Sequence, residues 1–379
     1  MSETPFIPPA KPEISDAEIE AAVRVLRSGM VVQGPEVKGF EEEFSAHVGG
    51  VHCVAVNSGT SALHLGLLAM GVGPGDEVLV PSFSFAASAN AIRLVGADPV
   101  FVDIEAESFC IDAEAAAAAV TGRTKAVMPV HLYGHPADMT AIGELAVEHG
   151  LSVIEDAAQA HGAAWQGRPV GSFGATAAFS FYPTKNMHSL EGGMVTTGDA
   201  ETARMLRLLR NQGMEQRYAN EVVGTNTRLT DVAAAIGRVQ LSKLAGWNEA
   251  RRANAARLDA GLGGLAGVRV PPVAEGAVHV FHQYTIRVAG GRRDAVQESL
   301  KDAGVGSAVY YPTPIHRLRP FVPGAHPHNK DWDLPVTETA TTEVLSLPVH
   351  PALSEADIDR VIEAVTTAVS GTAVSGGGA

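Results

Sequence analysis

The sequence predicts an α/β fold, with a large domain built on a mainly parallel sheet flanked by helices and a smaller C-terminal α+β domain. Short apolar runs alternate with helical segments between residues 51 and 210, which is typical of a doubly wound sheet. Glycine-rich, serine-rich or acidic segments follow several of these runs, at the sheet edge where such folds bind ligands. A β-α-β pattern after residue 263 predicts the second domain.

Length, composition and charge exclude several classes of protein. The 379 residues, 46% of them hydrophobic, are too many for one ordinary core. The net charge of −14 argues against a nucleic-acid-binding protein, which needs a basic face. No apolar run approaches the ~18 residues of a membrane span, and the acidic, Pro-rich start is not a secretion signal. Cys53 and Cys110 have apolar neighbours and are expected to be core residues of a cytoplasmic protein.

Two helices are predicted before the sheet begins. The segment Ser15-Asp-Ala-Glu18 is a capping box, and Gly29 suits the position after the last turn. Apolar residues recur at helical spacing at Ile19, Val23 and Leu26 in the first helix and at Val37, Phe40, Phe44 and Val48 in the second.

The other elements of the large domain are predicted from the same signals. Strands are expected at 51–56, 78–80, 99–103, 126–130, 151–156, 177–182 and 194–197. Helices are expected at 62–70, 113–120, 139–149 and 200–210, with another ending near Leu94. The polar segment 211–228 is predicted to be a long loop, and long loops in compact domains are often functional.

The domain boundary is predicted at residue 263. An amphipathic helix from Thr230 continues to Leu262, and 263–272 has the composition of a hinge. This divides the chain into an N-terminal segment with the large domain, 1–262, and a small domain, 263–379. The small domain is expected to contain strands at 281–288 and 307–311, a helix at 294–303 and a disordered Gly/Ser-rich tail from about residue 370.

Three polar segments follow predicted strands, and each has more than one interpretation alone. Asn57 to Ser61 joins a strand to a helix and forms either an anion site or a capped helix without a ligand. Glu155 and Asp156 could cap a helix, bind a metal or hold a cationic ring. Lys185 is either a surface lysine or a buried, neutral amine that can form a Schiff base.

Taken together, the three segments suit pyridoxal 5′-phosphate. This cofactor needs an anion site for its phosphate, a carboxylate at its pyridine nitrogen and a lysine for its aldehyde. The carboxylate keeps the ring protonated, so that the ring accepts the electrons of a broken Cα–H bond. The released lysine is then positioned to move the proton.

Other candidate sites are weaker. His279 with His282, and His326 with His328, lack partner ligands at metal-binding spacing and are predicted to be structural or surface residues, so no metal is expected. Gly71-Val-Gly73-Pro-Gly75 precedes a strand instead of opening a helix, which argues against a dinucleotide-binding oxidoreductase.

Several motifs, in order, resemble the DegT/DnrJ/EryC1/StrS family of sugar aminotransferases, which have the PLP-dependent transferase fold type I. The resemblance spans roughly residues 5 to 365. Its motifs are Asn57–Leu63, Pro81–Phe85, Glu155–Gly162, Ser180–Met187, Glu191–Met194, Gly224–Asp231 and Tyr310–His316. Relatives that dehydrate sugars carry His where this chain has Lys185, so the lysine favours transamination.

The resemblance also implies roles for individual residues. Lys185 would bind the cofactor covalently, Asp156 would pair with the pyridine nitrogen and Gln159 with the ring hydroxyl. Phosphate and ring contacts would come from Gly59, Thr60, Ser61, Ser180 and Phe85, and from Asn226 toward the cofactor of the other subunit. Substrate contacts are expected from His188, Arg228, Tyr310 and His316.

Two segments depart from the usual family pattern. The segment after the lysine reads His188-Ser-Leu-Glu-Gly-Gly, where the family often has Thr-Thr-Gly-Glu-Gly-Gly, and Thr225 stands where an aromatic residue often precedes the asparagine. Both changes lie near the expected position of the sugar, so they bear on the substrate and not on the cofactor.

The resemblance implies transfer of an amino group from L-glutamate to a nucleotide-linked keto sugar, with pyridoxamine 5′-phosphate as the intermediate cofactor form. The first expectation is a dTDP-4-keto-6-deoxyhexose, giving a 4-amino-4,6-dideoxy sugar. A 3-keto sugar comes second and a keto-inositol of natural-product biosynthesis third. The alternative of another class is a catalytically silent regulatory protein on the same fold. A cytoplasmic homodimer with shared active sites is expected.

Overall fold

The computed structural model describes residues 5–374, with side chains to residue 371. Its strands are β1 His52–Val56, β2 Glu77–Pro81, β3 Asp98–Val102, β4 Thr124–Val127, β5 Ser152–Asp156, β6 Ala164–Trp165, β7 Arg168–Pro169, β8 Thr176–Ser180, β9 Gly193–Thr197, β10 Met214–Gln216, β11 Ala219–Asn220, β12 Val268–Arg269, β13 Ala277–Val278, β14 Tyr284–Val288 and β15 Val344–Leu347. Its α-helices are α1 Asp16–Ser28, α2 Pro35–His47, α3 Gly59–Ala69, α4 Ala87–Leu94, α5 Ala113–Ala118, α6 Met139–His149, α7 Ala200–Arg210, α8 Asp231–Leu262, α9 Arg293–Asp302, α10 Pro335–Glu343 and α11 Glu355–Val374.

A seven-stranded sheet with the order β1-β9-β8-β5-β4-β2-β3 organises the larger part of the molecule. Its strands run parallel except β9, which is antiparallel to both of its neighbours. The carboxyl ends of β1, β2, β5 and β8 therefore meet at one edge. The predicted α/β fold class is confirmed, and this edge is where such sheets bind ligands.

Helices cover both faces of this sheet because alternate strand residues point to opposite sides. On one face, Leu65 and Ile92 of α3 and α4 pack with Ile154 of β5. On the other, Phe44 of α2 meets Phe179 of β8 with ring centroids 5.0 Å apart. Burying each such side chain contributes about 1.5–3 kcal/mol, so both faces hold the strand ends in place.

Helix α1 has the predicted ends but not the predicted buried face. Ser15 donates from its backbone N and its Oγ to the Glu18 carboxylate, at 2.9 and 2.6 Å, and Gly29 ends the helix at φ 74°. The buried apolar residues are Ala21 and Val25, which pack against Ala235 of α8. The residues predicted to form the core face, Ile19, Val23 and Leu26, are exposed. Small residues let α1 lie close to α8, and this turns the larger side chains outward.

The C-terminal part has its own apolar core around the antiparallel sheet β12-β14-β15. The prediction of a strand at 307–311 is wrong: only Ala308 forms a bridge, to Ser346. The neighbouring position on β14 is taken by β15, and Pro312 and Pro314 cannot donate to a ladder.

The two ends of the described chain also join this core. Ile7 is buried in it, its N donates to Gly304 O at 2.9 Å, and its O accepts from Gly306 N at 2.8 Å. Helix α11 continues to Val374, so the prediction of disorder from about residue 370 is wrong for 370–374. Helix α11 continues because its apolar side chains pack with this core. Residues 375–379 lie outside the described part of the chain.

Two further expectations have different outcomes. Helix α8 runs without a break to Leu262, and its last turns pack in the C-terminal core, so the division at residue 263 stays a prediction. The segment 211–228, which was predicted to be a long loop, contains the short hairpin β10–β11.

Among residues 5–374 no helix is long and apolar enough to cross a bilayer.

Candidate active site

A cavity of about 560 Å³ opens at the carboxyl edge of the large sheet. The strand ends and the loops after them form its walls. Predicted site residues that line it are Gly59, Thr60, Phe85, Asp156, Gln159, Ser180, Lys185 and Tyr310. The structure therefore brings together residues from five separate sequence motifs.

Lys185 lies in the loop that follows β8. Its backbone N donates to Tyr182 O at 2.9 Å, which closes a tight turn after the strand. The half-buried side chain makes no hydrogen bond or salt bridge to any residue of the described range 5–374. Burial lowers the pKa of Lys185 to about 8, against the opposing effect of Asp156. The amine is thus far closer to its neutral, nucleophilic form than a solvated lysine.

The two acids at the end of β5 have different surroundings because adjacent strand residues face opposite ways. Glu155 is fully buried and accepts from the backbone N of Gly171, Phe173 and Gly174 at 2.8, 2.7 and 2.8 Å. It fixes the loop before β8 and does not line the cavity.

Asp156 faces the cavity. Its Oδ2 accepts from Ser88 Oγ at 2.8 Å and its Oδ1 from Ala158 N at 3.2 Å. Burial raises the pKa of Asp156 above its ordinary value, because these two neutral donors do not replace a counter-ion. A cation at this position would favour the ionised carboxylate.

A candidate anion site lies where α3 begins. Ser58 caps the helix by accepting from Ser61 N at 3.1 Å. The backbone N–H groups of Gly59 and Thr60 have no partner among the described residues, and they point with the helix dipole. A Cβ on Gly59 would lie 2.7 Å from Ser180 Cβ, so only glycine lets α3 approach β8 this closely. Ser61 Oγ donates to Asn57 Oδ1 at 2.7 Å and lies outside the cavity wall.

Aromatic residues line part of the same cavity. Gln159 Oε1 accepts from Tyr133 N at 2.7 Å, and its Nε2 donates to Tyr311 OH at 3.1 Å. The Phe85 ring lies 6.2 Å from that of Tyr311 at an angle of 36°, and the Tyr133 hydroxyl donates to Tyr310 O. Sequence reasoning missed Tyr133 and Tyr311; the signal for Tyr311 was its place beside Tyr310 in a recognised motif.

Besides Ser61, four predicted residues lie outside this chain's own cavity. His188 is buried behind the Lys185 loop, where it lines a second, smaller cavity with residues 10–13 and Arg251. His316 is buried with Nδ1 2.7 Å from Ser82 Oγ and Nε2 3.2 Å from Glu338 Oε1. Arg228 and Asn226 belong to the segment before α8, where Arg228 donates to Asn211 Oδ1 at 2.8 Å and Asn226 bridges to Asn211. Substrate or cofactor contacts by these four residues stay predictions.

The histidine pairs also have separate positions. His282 lines the cavity, although it was predicted to be structural or at the surface, and only its place before β14 could have signalled this. His326 and His328 lie beside Asp98. Since Arg93 and Arg123 contact the same Asp98 carboxylate, a metal ion there would be repelled by two guanidinium groups.

The residues of the cavity fit pyridoxal 5′-phosphate. The free N–H groups of Gly59 and Thr60 can hold its phosphate, and the Lys185 amine can bond to its aldehyde. Asp156 is a buried carboxylate without a matched cation, which suits the ring nitrogen. These groups line one cavity, whose volume is about 560 Å³.

Comparisons with known proteins identify the same family that the sequence motifs resemble. Residues 12–366 match the DegT/DnrJ/EryC1/StrS aminotransferase family. The dTDP-3-amino-3,4,6-trideoxy-alpha-D-glucose transaminase of Streptomyces venezuelae is 46% identical over 370 residues, which cover 96% of each chain. The UDP-N-acetyl-3-dehydro-alpha-D-glucosamine 3-aminotransferase of Acidithiobacillus ferrooxidans is 44% identical over 349 residues, which cover 92% of each chain.

A solved structure is similar over nearly the whole fold. The crystal structure of DesV from S. venezuelae, in complex with a ketimine intermediate, matches with a TM-score of 0.92 at 44% identity and covers 97% of this chain and 99% of that one. These matches confirm the predicted fold type and the aminotransferase activity.

Proposed function

The chain belongs to the DegT/DnrJ/EryC1/StrS aminotransferase family, and we propose that it transfers the amino group of L-glutamate to a nucleotide-linked 3-keto sugar. The observation that carries the proposal is the meeting, in one cavity, of the Lys185 amine, the Asp156 carboxylate and the anion site at Gly59 and Thr60. Two of the relatives are named as transaminases of nucleotide sugars, which supports the sugar as the amino acceptor.

Each cavity residue has a role in such a reaction. Pyridoxal 5′-phosphate, when bound, supplies a protonated ring that accepts the electron pair left when a C–H bond breaks. Asp156 would hold the proton on the ring nitrogen, and Gly59 and Thr60 would hold the phosphate. The Lys185 amine would take the proton from the Cα of the amino donor and return it to a second carbon. Phe85, which lines the same cavity, would contact the ring.

The choice of carbon differs from the sequence-based expectation. Sequence reasoning put a dTDP-4-keto-6-deoxyhexose first, but the names of two relatives place the amino group at C3, one on a dTDP sugar and one on a UDP sugar. We therefore put the 3-keto sugar first, the 4-keto-6-deoxy sugar second and a keto-inositol third. Two relatives, 45% and 43% identical, are named a sensory transduction protein and a pleiotropic regulatory protein, whereas the transaminases above are named as enzymes. This chain keeps Lys185, which favours catalysis over a silent regulatory role.

Turnover with a panel of acceptors tests the choice. The purified protein, loaded with cofactor, is incubated with L-glutamate and with dTDP- and UDP-linked 3-keto sugars, dTDP-4-keto-6-deoxyglucose or a keto-inositol. We expect 2-oxoglutarate and an amino sugar only with 3-keto acceptors, and no product from Lys185→Ala. Preferred use of the 4-keto sugar would restore the sequence-based first choice, and no product with any acceptor would contradict the proposal.

The proposal includes a homodimer in which a second copy completes each site. Large apolar side chains between 36% and 61% exposed cluster around α1 and the segment after it: Ile14, Ile19, Val23, Leu26, Met30, Val31 and Val32. Val32 also lines a groove with Arg228 and bridges to Thr230, so the apolar surface is continuous with the segment that carries Asn226. A second copy seated there would cover this surface and receive Asn226. Two buried free cysteines support the cytoplasm as the compartment.

A further inference from the structure

Two buried serines lie beside the Asp156 carboxylate, and the roles above use neither of them. Ser88 lies in the first turn of α4, and Ser84 lies in the loop between β2 and α4. Ser88 Oγ donates to Asp156 Oδ2 at 2.8 Å, and the Oγ atoms of Ser84 and Ser88 are 2.9 Å apart. Ser84 also lines the cavity, so two hydroxyl groups connect the cavity wall with the carboxylate.

The number of donors fixes the direction of these two hydrogen bonds. An ionised carboxylate only accepts hydrogen bonds, and a serine hydroxyl has one hydrogen to donate. The hydrogen of Ser88 is directed to Asp156, so the bond between the two serines must use the hydrogen of Ser84. Ser88 is fully buried, and bulk water does not compete for it. With Asp156 ionised, both hydroxyl groups therefore point their hydrogens toward the carboxylate.

Few other groups stabilise the charge of Asp156. The other donor to its carboxylate is Ala158 N, at the longer distance of 3.2 Å, and within residues 5–374 Ser88 is the only side-chain donor. Burial raises the pKa of Asp156, and the hydrogen bond from Ser88 is the largest of the influences that lower it. The titratable groups that face the carboxylate without a hydrogen bond to it are Lys185, His131 and Tyr311.

We propose that Ser84 and Ser88 form a polarised hydroxyl chain that orients the Asp156 carboxylate and favours its ionised form. Ser88 acts on the carboxylate directly. Ser84 acts through Ser88, because a hydroxyl group that accepts a hydrogen bond becomes a stronger donor. Both serines are positioning residues. The inference rests on the proposed role of Asp156 at the ring nitrogen, which needs the carboxylate and not the neutral acid.

Denaturant unfolding of the apoprotein, at several pH values between about 4 and 9, tests the chain without any turnover. The quantity compared is the ratio of the unfolding equilibrium constant of a variant to that of the wild type. Ser88→Ala removes a donor to the charged form and so raises the pKa of Asp156 in the folded protein. The stability that this group loses as pH rises is then lost over a wider pH range. The ratio should therefore rise about tenfold from low to high pH.

Two controls separate the effect of charge from that of packing. When Ser88→Ala is added to Asp156→Asn and compared with that variant alone, the ratio should not change with pH, although Lys185, whose pKa is about 8, still titrates. Ser346→Ala removes one hydroxyl from another buried pair, in which Ser346 Oγ lies 2.8 Å from Thr285 Oγ1 and neither group donates to a carboxylate. Its ratio to the wild type should also stay constant.

Ser84→Ala tests the outer member of the chain, and it becomes the main test if Ser88→Ala does not fold. Its ratio should rise in the same direction but by only about twofold, because Ser88 can still donate to Asp156. A ratio that stays constant for either serine variant would overturn the hydroxyl chain. An equal rise for Ser88→Ala in the Asp156→Asn background would also overturn it.

A second measurement distinguishes this failure from failure of the proposed function. Turnover of the Asp156→Asn enzyme, loaded with cofactor, reports whether this carboxylate is needed at the ring nitrogen. Near-normal turnover together with a rising ratio for Ser88→Ala would overturn the role of Asp156 and leave the hydroxyl chain in place. A large loss of turnover together with a constant ratio would overturn only the hydroxyl chain.

Discussion

At Asp156 the requirements of stability and of catalysis are opposed, because folding favours the neutral acid and the proposed reaction needs the carboxylate. Burial raises its pKa in the apoprotein, so the unfolded chain gives up this proton at lower pH than the folded one. The stabilisation from this group is complete below the unfolded pKa and is lost as pH rises through the folded pKa. At neutral pH the ionised carboxylate therefore opposes folding until a cation lies beside it.

Asp156→Asn should separate the two effects. The amide can still accept from Ser88 Oγ but holds no charge, so the apo variant should unfold at a higher temperature than the wild-type apoprotein at pH 8, about four units above the usual Asp pKa. The gain should shrink as pH falls. Turnover should drop by about 10²- to 10⁴-fold, because the ring nitrogen loses its proton.

Thermal unfolding across pH and turnover of the loaded variant measure both effects. Near-normal turnover of a folded Asp156→Asn protein would mean that another group protonates the ring. Glu155 is a poor substitute, since three backbone N–H groups already hold it.

At the scale of elements, the close contact between α3 and β8 determines the geometry of the candidate anion site. The contact between Gly59 and Ser180 leaves no room for a methyl group. Gly59→Ala should push the two elements apart at a cost of about 1–3 kcal/mol. It should weaken cofactor binding to the apoenzyme by roughly tenfold or more, since every 1.4 kcal/mol is tenfold.

Gly246→Ala is the matched control for this substitution. Gly246 is exposed within α8, and a Cβ there would meet nothing within 4 Å. This variant should be up to about 1 kcal/mol more stable than the wild type, because alanine favours the helix. Fluorescence titration with pyridoxal 5′-phosphate and denaturant unfolding measure both changes. Equal cofactor affinity in the two variants would show that the close contact is not needed.

Local signals in the sequence predicted elements well where neighbouring residues decide the structure. Helix α7 has the predicted bounds, and the ends of α1 follow its capping box and Gly29. Asp156 and Lys185 lie in one cavity because β5 and β8 are parallel and end at the same edge of the large sheet. The exposed face of α1 could not be predicted, since it depends on how closely α8 packs against Ala21 and Val25.

The same limit explains the residues that were missed in the site. His282 and Tyr311 enter the cavity from the C-terminal part, through contacts between residues about a hundred positions or more apart in the chain. No local pattern encodes such a meeting. Ser61 shows the reverse case: its backbone N joins the helix cap and its Oγ donates to Asn57 Oδ1, so a cofactor contact by Ser61 stays a prediction.

For the whole molecule, the proposed shared site predicts complementation between two inactive chains. One chain carries Lys185→Ala and the other Asn226→Ala, provided that each homodimer is nearly inactive. In a mixed dimer one site receives both lesions, and the other combines an intact Lys185 with an intact Asn226. Doubly tagged mixed dimers should then regain roughly half of the wild-type turnover, because an isologous interface exchanges the residues reciprocally.

The competing arrangement gives a different result. If Asn226 served the cofactor of its own chain, each site of the mixed dimer would keep one lesion. Purified mixed dimers no more active than their parents would therefore exclude the shared site. Sedimentation of the wild-type protein at the same concentration provides the control for assembly.

The pairing of Ile7 with the segment around Val305 affects how the protein is made. Ile7 is hydrogen-bonded to Gly304 and Gly306 and buried in the C-terminal core, so it has no partner until nearly three hundred further residues have been translated. At roughly 5–20 residues per second this wait lasts about 15–60 s. During this time the large sheet can form on the ribosome while the first described residues remain available to chaperones. Ile7 and its described neighbours are thus among the last residues to reach their native position.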